Sequence, residues 1–266
     1  MAYSYASLGR LLVIIPTYNE ADNIESIVSR VRQSVPEADI LIADDASPDH
    51  TGRIADELSL RDPQVHVLHR PAKEGLGTAY LAGFGWGLGR GYDVLIETDA
   101  DGSHQPEELP MLLAALVKAD MVKGSRWMRG GRVVNWSRKR ELLSRAANIW
   151  VMAAMNVPIH DATGGYNLFR ADMLRKIDLE SVESRGYSFQ VDMTRRVLEA
   201  GGTVAEVPIE FCERLAGKSK MSGGIIKEAL LRTAEWGLER RSRQILGWAN
   251  RAKKHLEPLT EKFARS

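Results

Sequence analysis

The N-terminal part of the chain alternates short apolar runs with segments of helical periodicity, and this alternation limits the possible folds more than any other feature. The apolar runs, which we interpret as strands, lie at 11–15, 39–43, 65–68 and 93–98. Strands that alternate with helices predict an α/β fold with a mostly parallel central sheet covered on both faces. Two later apolar runs, at 121–124 and 204–211, are also predicted to be strands of this sheet. Pro208 favours an edge position for the second of them.

Clusters of polar residues follow three of the predicted strands. They lie at 16–20, 44–49 and 99–104. In an open parallel sheet, ligands bind outside the carboxyl ends of the strands, so we expect these clusters to share one crevice. Each cluster alone could be ordinary loop chemistry, but three at one edge favour a binding site.

The third cluster places two carboxylates one residue apart, directly after an apolar run. Asp99 and Asp101 alternate with Ala100, so an extended backbone would direct both side chains to the same side. A hard divalent cation prefers such oxygen ligands, and a diphosphate would supply further oxygens. The alternative is a turn rich in Asp, Gly and Ser that binds nothing.

The composition excludes several classes of protein. The 266 residues contain 36 Lys and Arg against 35 Asp and Glu, which argues against a bulk electrostatic binder of nucleic acid. A single cysteine excludes a disulfide framework or a thiolate metal cage within one chain, and a reducing compartment is expected. No apolar run approaches the roughly 18 to 20 residues that span a bilayer. We therefore expect a cytoplasmic protein, soluble or lying on a membrane surface.

Glycine-rich stretches do not match the phosphate-binding loops. Residues 74–91 satisfy neither the dinucleotide fingerprint nor a Walker loop, and 217–219 lack the earlier glycine that a Walker loop needs. We interpret 74–91 as a helix whose small residues allow close packing. The loop at 217–224 is either a lid that closes over an anion or a plain linker.

Two further segments are basic. Seven cations fall within twenty residues, Arg126, Arg129, Arg132, Arg138, Lys139, Arg140 and Arg145. They form either a solvated face or an anion site, for which the forked guanidinium is well suited. The last forty residues are amphipathic and basic, which permits packing on the core or adsorption to a membrane interface.

A set of motifs in a fixed order resembles a known family. The motifs are PTYNE at 16–20, DDASPD at 44–49, EGLGTAY at 74–80, DADGSH at 99–104, GSR at 124–126 and RLAGKSK at 214–220. They are similar to those of family-2 inverting glycosyltransferases, and more narrowly to polyprenol-phosphate (dolichol-phosphate) mannose synthases. The resemblance covers about residues 10 to 225.

The resemblance implies a fold, a reaction and partners. It implies a nucleotide-diphospho-sugar transferase (GT-A type) Rossmann-like fold, with a catalytic domain at 1–224 and C-terminal amphipathic helices at 225–266. GDP-mannose would be the donor, a polyprenyl monophosphate the acceptor, and Mg²⁺ or Mn²⁺ the cofactor. Some relatives carry membrane-spanning helices, so this chain would contact the cytoplasmic face of a membrane through its tail or a partner protein. Transfer of glucose or another sugar, a nucleotidyltransferase and a non-catalytic membrane adaptor are the alternatives.

The resemblance also implies site residues. Donor contacts would come from Pro16, Tyr18, Glu20, Ile42, Asp44, Asp99, Ala100, Asp101, Arg214 and Lys220. The metal would be held by Asp99, Asp101 and Ser103, where some relatives have Gln in place of Ser103. The acceptor phosphate would meet Arg126, Arg140 and Ser144. The catalytic residues would be Asp101, Arg126 and Arg140.

Overall fold

The computed structural model describes residues 4–182, 187–213 and 233–237. The strands are β1 Leu11–Thr17, β2 Asp39–Asp44, β3 Val65–His69, β4 Val94–Glu97, β5 Met121–Ser125, β6 Arg132–Val134, β7 Asn167–Arg170, β8 Val204–Pro208 and β9 Glu210–Cys212. The α-helices are α1 Ile24–Ser34, α2 Thr51–Arg61, α3 Leu76–Gly89, α4 Leu109–Leu116, α5 Arg138–Met155, α6 Ala171–Lys176 and α7 Tyr187–Glu199.

The main sheet has seven strands in the order β3-β2-β1-β4-β7-β5-β8. β1 to β4 are mutually parallel, β7 runs antiparallel to both of its neighbours, and β8 is parallel to β5. A second sheet pairs β6 with β9. The predicted α/β fold with a mostly parallel sheet is confirmed, and the strand containing Pro208 is at the edge, as expected.

Two details of the strand prediction were wrong. The run at 204–211 is divided, because its first part pairs with β5 and its second part pairs with β6 as β9. β6 and β7 were not predicted at all. They have three and four residues, which is too short for a period of two to be distinguished from a loop.

Helices cover both faces of the sheet. One apolar cluster packs α1 and α4 against one face, through residues that include Ile27 and Leu113. A second cluster packs α3, α6 and α7 against the other face, through residues that include Phe84 and Phe189. Within the part of the chain that the structure describes, no helix is both long and apolar enough to cross a membrane.

The prediction of a closely packed helix at 74–91 is confirmed. A Cβ atom added to Gly83 would lie 2.6 Å from Ile14 Cγ2, and one added to Gly87 would lie 2.7 Å from Leu12 Cδ2. Real Cβ contacts are not that short, so only glycine lets α3 lie this close to β1. The glycines therefore serve helix packing.

Candidate active site

The three polar clusters meet at one edge of the sheet, as predicted. β1 lies between β2 and β4, so the chain order reverses at β1 and leaves a crevice at the carboxyl ends of these strands. The Thr17 hydroxyl donates a hydrogen bond of 2.9 Å to Asp44 Oδ1, and the Thr98 amide donates one of 3.3 Å to the Ile14 carbonyl. These bonds tie the ends of the three strands together.

The first two clusters are held by hydrogen bonds between the loops. The Asn19 amide donates to Ser47 Oγ at 3.1 Å, and the Ala21 amide donates to Asp49 Oδ2 at the same distance. Asp44 in turn accepts from the Ser47 amide at 3.1 Å. A carboxylate that satisfies loop amides fixes the loop backbone, so these two loops form a preformed surface.

The donor residues predicted in these clusters do not all offer side chains to a ligand. Pro16 is the next-to-last residue of β1, and Tyr18 and Glu20 follow the strand. All three are partly exposed, where a nucleotide could contact them. Ile42 is fully buried in the core cluster under β2. Its backbone is paired with Ile15 of β1 and Val67 of β3, so Ile42 is engaged within the sheet through both its side chain and its backbone.

Arg70 connects the second cluster to the segment before α3. Its buried guanidinium pairs with Asp45 and with Glu74, the latter at 2.6 Å. The Arg70 amide also donates to the Asp44 carbonyl at 2.8 Å. This residue was not singled out from the sequence, because a lone arginine after a short strand carries no pattern.

The third cluster bends so that its polar groups converge. The Asp99 amide donates to His104 Nδ1 at 3.1 Å, and the Ser103 amide donates to Asp101 Oδ1 at 3.0 Å. The Tyr80 hydroxyl also reaches Asp99 Oδ1 at 3.5 Å. Because an amide can only donate, His104 Nδ1 accepts, and the ring proton is on Nε2. Burial lowers the pKa of His104 to about 4, which agrees with a neutral ring.

The donor set fits a hard divalent cation. Asp101 is buried beside Ser103, whose hydroxyl is also buried and has no hydrogen-bond partner among the described residues. Two carboxylates with an unsatisfied hydroxyl match the oxygen ligands that Mg²⁺ and Mn²⁺ accept. No group of three or more His, Cys, Asp and Glu side chains in the described ranges could hold a metal ion. The remaining ligands would therefore have to be substrate oxygens or water.

A line of buried polar side chains lies beneath the third cluster. Glu97, Asn167 and Lys123 are in register across β4, β7 and β5. Asn167 Nδ2 donates to Glu97 Oε2, and Lys123 Nζ donates to Asn167 Oδ1, both at 2.7 Å. Gln190 Oε1 of α7, at 2.7 Å, and the Gly164 carbonyl, at 3.1 Å, are also acceptors within reach of Asn167 Nδ2, whose two hydrogens the three acceptors share. We call Glu97, Lys123, Asn167 and Gln190 the buried network.

The buried network shifts the ionisation of its charged members. Burial raises the pKa of Glu97 to about 8 and lowers the pKa of Lys123 to about 8. Burial opposes the charged form of each group, and their mutual attraction offsets part of that effect. Sequence reasoning missed these residues, although an ionisable side chain within a buried strand was a usable signal.

Arg126, predicted to contact the acceptor phosphate, is buried against Asp161. Its Nε and Nη2 atoms both lie 2.7 Å from the Asp161 carboxylate, and its amide donates to the same carboxylate at 2.9 Å. Nη2 also reaches Thr163 Oγ1 at 3.1 Å. This bidentate contact fixes the guanidinium and ties the end of β5 to the turn at 161–165.

Arg140 and Ser144 lie on α5 in a more open setting. The Arg140 guanidinium stacks 3.9 Å from the ring centroid of Trp136 and pairs with Glu213 at 2.9 Å. Ser144 is half-buried one turn further along the helix. Asn148 then anchors α5 to the turn at 161–165, because its amide nitrogen donates to Thr163 Oγ1 at 3.0 Å.

Aromatic rings connect the carboxylate cluster with the arginines. The Phe211 ring lies 5.3 Å from the His104 ring, 5.5 Å from the Trp136 ring and 5.3 Å from Arg126 Cζ. The Cys212 amide of the same strand donates to the Ser103 carbonyl at 3.1 Å. β9 therefore brings the loop that carries Asp101 next to the segment that carries Arg126 and Arg140.

Some predicted residues lie outside the described ranges. Arg214 and Lys220 of the predicted closing loop are among them, as are the boundary at 224 and most of the extension at 225–266. Within that extension, 233–237 is helical, and Trp236 packs on the apolar cluster that α5 forms with α7.

Comparison with known proteins identifies the family. Residues 12–178 match the model of glycosyl transferase family 2. An undecaprenyl-phosphate mannosyltransferase of Micrococcus luteus is 54% identical over 232 residues, which are 87% of this chain and 96% of that protein. A polyprenol monophosphomannose synthase of Mycolicibacterium smegmatis is 55% identical over 234 residues, 87% of this chain and 88% of that protein.

A solved structure agrees on the fold. Glucosyl-3-phosphoglycerate synthase from Mycobacterium tuberculosis, in complex with Mn²⁺ and UDP-glucose, has a TM-score of 0.64 and 17% identity, covering 88% of this chain and 82% of that chain. At this identity the likeness concerns the fold alone. The family model and the two relatives, however, cover most of the chain, and with them the strand ends and polar clusters described above. The chain therefore belongs to glycosyl transferase family 2 and is a glycosyltransferase.

Proposed function

We propose that this chain transfers mannose from GDP-mannose to a polyprenyl monophosphate, giving polyprenyl-phosphate β-mannose and GDP. The observation that carries the proposal is the meeting of two charge types: β9 joins the loop of Asp99 and Asp101 to the segment of Arg126 and Arg140. A nucleotide diphosphate suits the first and an anionic acceptor suits the second. The two relatives above 50% identity, both named for mannose transfer to a polyprenyl phosphate, support this assignment.

The donor would lie across the ends of β1, β2 and β4. Pro16, Tyr18 and Glu20 would form the guanosine side, supported from within the sheet by Ile42, and Asp44 would fix the loop against which the nucleotide lies. Ala100 would approach the diphosphate through its backbone, since its side chain is buried. Arg214 and Lys220, outside the described ranges, would close over the donor.

Asp99, Asp101 and Ser103 would hold a divalent cation, Mg²⁺ or Mn²⁺, at the donor diphosphate. When bound, such an ion acts as a Lewis acid that stabilises negative charge on a departing diphosphate. His104 would keep Asp99 in position through the amide contact, and the buried network would support the end of β4, directly before the loop that carries both carboxylates. These residues orient the donor's anomeric carbon toward the acceptor side.

The acceptor phosphate would be held by Arg140 and Ser144, next to the charge of Arg126, whose orientation Asp161 fixes. A phosphate monoester is ionised near neutral pH, so the attacking oxygen needs no strong general base. The arginines offset repulsion between the two anionic substrates and place the acceptor in line behind the anomeric carbon. Direct displacement inverts that carbon, so an α-linked donor gives a β-linked product.

We also propose a location and a domain arrangement. The catalytic domain at 1–224 would work at the cytoplasmic face of a membrane, where its lipid acceptor is found. The extension at 225–266 would contact the membrane, a membrane-anchoring protein or the catalytic domain itself. Packing of Trp236 against the cluster of α5 and α7 supports the last of these for the described part of the extension.

Incubation with labelled GDP-mannose, a short polyprenyl phosphate in detergent and Mg²⁺ or Mn²⁺ tests the reaction. We expect a labelled mannolipid that no longer forms when the metal is chelated. Product from UDP-glucose but not from GDP-mannose would overturn the donor assignment and favour the glucosyl alternative. Release of pyrophosphate from GTP and mannose 1-phosphate would instead indicate a nucleotidyltransferase.

A further inference from the structure

Two atoms of the buried network have no hydrogen-bond partner among the residues that the structure describes. Glu97 Oε1 is a buried acceptor and Gln190 Nε2 is a buried donor. Both side chains are closed off from solvent, with 0% of Glu97 and 2% of Gln190 exposed. A buried donor or acceptor without a partner is unfavourable, and most such groups in folded proteins are paired with protein, ligand or water. The two atoms therefore indicate a binding position for a small polar group.

The same two side chains are fixed through their other terminal atoms. Glu97 Oε2 and Gln190 Oε1 each lie 2.7 Å from Asn167 Nδ2, and Asn167 Oδ1 accepts from Lys123 Nζ at the same distance. Because both side chains are anchored on one nitrogen, their terminal groups are neighbours. An acceptor beside a donor complements a hydroxyl group, which donates one hydrogen bond and accepts others. The buried network is thus prearranged for a hydroxyl.

Gly165 leaves a gap beside Gln190. A Cβ atom added to Gly165 would lie 3.7 Å from Gln190 Nε2 and 3.7 Å from His104 Cε1, which is ordinary van der Waals contact. The φ angle of Gly165 is not positive, so the backbone does not require glycine either. An alanine would therefore fit the fold and would place its methyl group between the two side chains. We expect the glycine to serve a ligand that uses this gap.

The gap lies between the two sides of the proposed site. His104 belongs to the carboxylate loop on the donor side and accepts from an amide of that loop at 3.1 Å. Gly165 belongs to the turn at 161–165, in which Asp161 fixes Arg126 through two contacts of 2.7 Å. In a direct displacement the transferred sugar must lie between the departing diphosphate and the attacking phosphate. The sugar is therefore the part of the donor that comes nearest to the gap.

We infer that Glu97 and Gln190 bind one hydroxyl group of the transferred sugar, which reaches them through the gap beside Gly165. The inference rests on the proposed function, because that function makes the ligand a nucleotide diphosphate hexose. Gln190 Nε2 donates to the sugar oxygen, and the hydroxyl hydrogen is donated to Glu97 Oε1. A buried site that pairs with a hydroxyl rejects an analogue without it, since the protein groups are then left unpaired. The pair therefore helps to select the hexose.

Donor binding by the full chain, without an acceptor, tests the inference. Calorimetry in the presence of Mn²⁺ would compare GDP-mannose with GDP, which has no sugar. Gln190→Met keeps the approximate length of the side chain and removes its donor hydrogens. We expect this variant to bind GDP-mannose about tenfold more weakly and GDP less than about twofold more weakly.

Gly165→Ala tests the gap without altering the buried network. The added methyl group should weaken GDP-mannose binding about tenfold and leave GDP binding and the thermal unfolding temperature unchanged. Gly85→Ala is the matched control, because Gly85 is exposed on α3 and a Cβ atom added there meets nothing within 4 Å. This control should bind both nucleotides as the parent chain does.

Sugar analogues test whether the contact is made to a single hydroxyl. GDP-mannose analogues that each lack one hydroxyl group would be measured with the parent chain and with Gln190→Met. We expect one analogue to bind the parent about tenfold more weakly than GDP-mannose does, and to bind Gln190→Met as well as GDP-mannose does. An unchanged preference in Gln190→Met for every hydroxyl would overturn the inference.

The remaining outcomes separate this inference from its alternatives. If Gln190→Met and Gly165→Ala weaken GDP and GDP-mannose equally, or weaken neither, the pair serves the fold or a buried water only, and the inference is wrong. Failure of the proposed function gives a different result, in which the parent chain binds UDP-glucose and not GDP-mannose. The same variants measured with UDP-glucose and UDP would then still decide whether the pair binds the sugar.

Discussion

The two sides of the proposed site are built in different ways. On the donor side, β1, β2 and β4 are parallel, and carboxylates at their ends are fixed by amides of nearby loops. On the acceptor side, arginines are fixed by partners distant in the sequence, as Arg126 is by Asp161, 35 residues away. Parallel strand ends suffice to gather acidic groups, whereas the basic groups depend on long-range contacts.

The two arginines of the acceptor side show a second contrast. Arg126 is buried, and its guanidinium contacts Asp161 and Thr163 of the turn at 161–165 and the Phe211 ring. Arg140 is more exposed and shares its charge with Glu213 on the protein surface. A surface ion pair is weak and easily exchanged for a ligand. Arg140 is therefore the better candidate for direct binding, and Arg126 for a fixed charge.

The largest effect is expected from Asp101→Ala on the donor side. Loss of this carboxylate removes a proposed metal ligand and should lower turnover by at least about a hundredfold. Metal-dependent binding of GDP, measured by calorimetry, should be lost as well. Asp172→Ala, an exposed aspartate on α6, is the control and should retain activity. Near-normal turnover by Asp101→Ala would contradict the assignment of the metal site.

Lys123→Met tests how much the buried network beneath the donor side contributes to stability. The variant leaves Glu97 and Asn167 buried without a cation, and we expect a loss of about 3 kcal/mol in the free energy of unfolding. Urea denaturation measures it, with Lys118→Met on the exposed surface as the control. If both variants unfold alike, Lys123 does not stabilise the fold and the prediction is wrong.

Arg140→Ala should separate acceptor binding from donor binding. Loss of a charged contact to the phosphate should raise the KM for polyprenyl phosphate by roughly tenfold or more, with little change in GDP affinity. Arg132→Ala is matched, because Arg132 is also exposed and paired with a glutamate of β9, Glu210. A collapse of GDP affinity alone would move Arg140 to the donor side.

The smallest predicted effect is a pH dependence of the free energy of unfolding, which comes from Glu108 at the start of α4. Burial raises the pKa of Glu108 to about 7, so folding favours its protonated form. The contribution of the protonated Glu108 carboxyl to stability is therefore complete below the unfolded pKa near 4.5 and disappears as the pH rises through 7. Glu108→Gln should therefore gain about 1 kcal/mol relative to the parent at pH 8, after allowance for partial exposure of the side chain.

Glu107→Gln is the control, because the contribution of Glu107 to stability should change with pH in the opposite direction. A hydrogen bond from Arg30 lowers the pKa of Glu107, so its contribution is present above the unfolded pKa and is lost as the pH falls. Thermal unfolding from pH 4 to 8 distinguishes the two variants. Parallel pH curves for Glu108→Gln and the parent chain would show that Glu108 does not titrate between these values.

The sequence predicted the donor side better than the acceptor side for a physical reason. Asp99 and Asp101 follow a buried strand, so strand direction alone places them at the sheet edge, whereas the extended backbone predicted between them is wrong, because β4 ends at Glu97 and the chain turns at 100–102. The partners of Arg126 could not be predicted, because Asp161 is in a separate glycine turn that no periodic pattern relates to β5. The pairing within the buried network could not be predicted for the same reason, since the register of Glu97 and Lys123 depends on the short strand β7, although each ionisable side chain within a buried strand was itself a signal.

The position of β7 in the sheet, between β4 and β5, also has a consequence for folding kinetics. The contact between Thr17 and Asp44 joins residues 27 positions apart, whereas that between Glu97 and Asn167 joins residues 70 apart. Contacts across long sequence separations form slowly, because the intervening loop must close first. The four parallel strands β1 to β4 can pair before β7 inserts, so a nascent chain would acquire four of the seven strands of its sheet while it still lacks the support beneath its carboxylates. Catalytic competence would then be gained in the last step of folding.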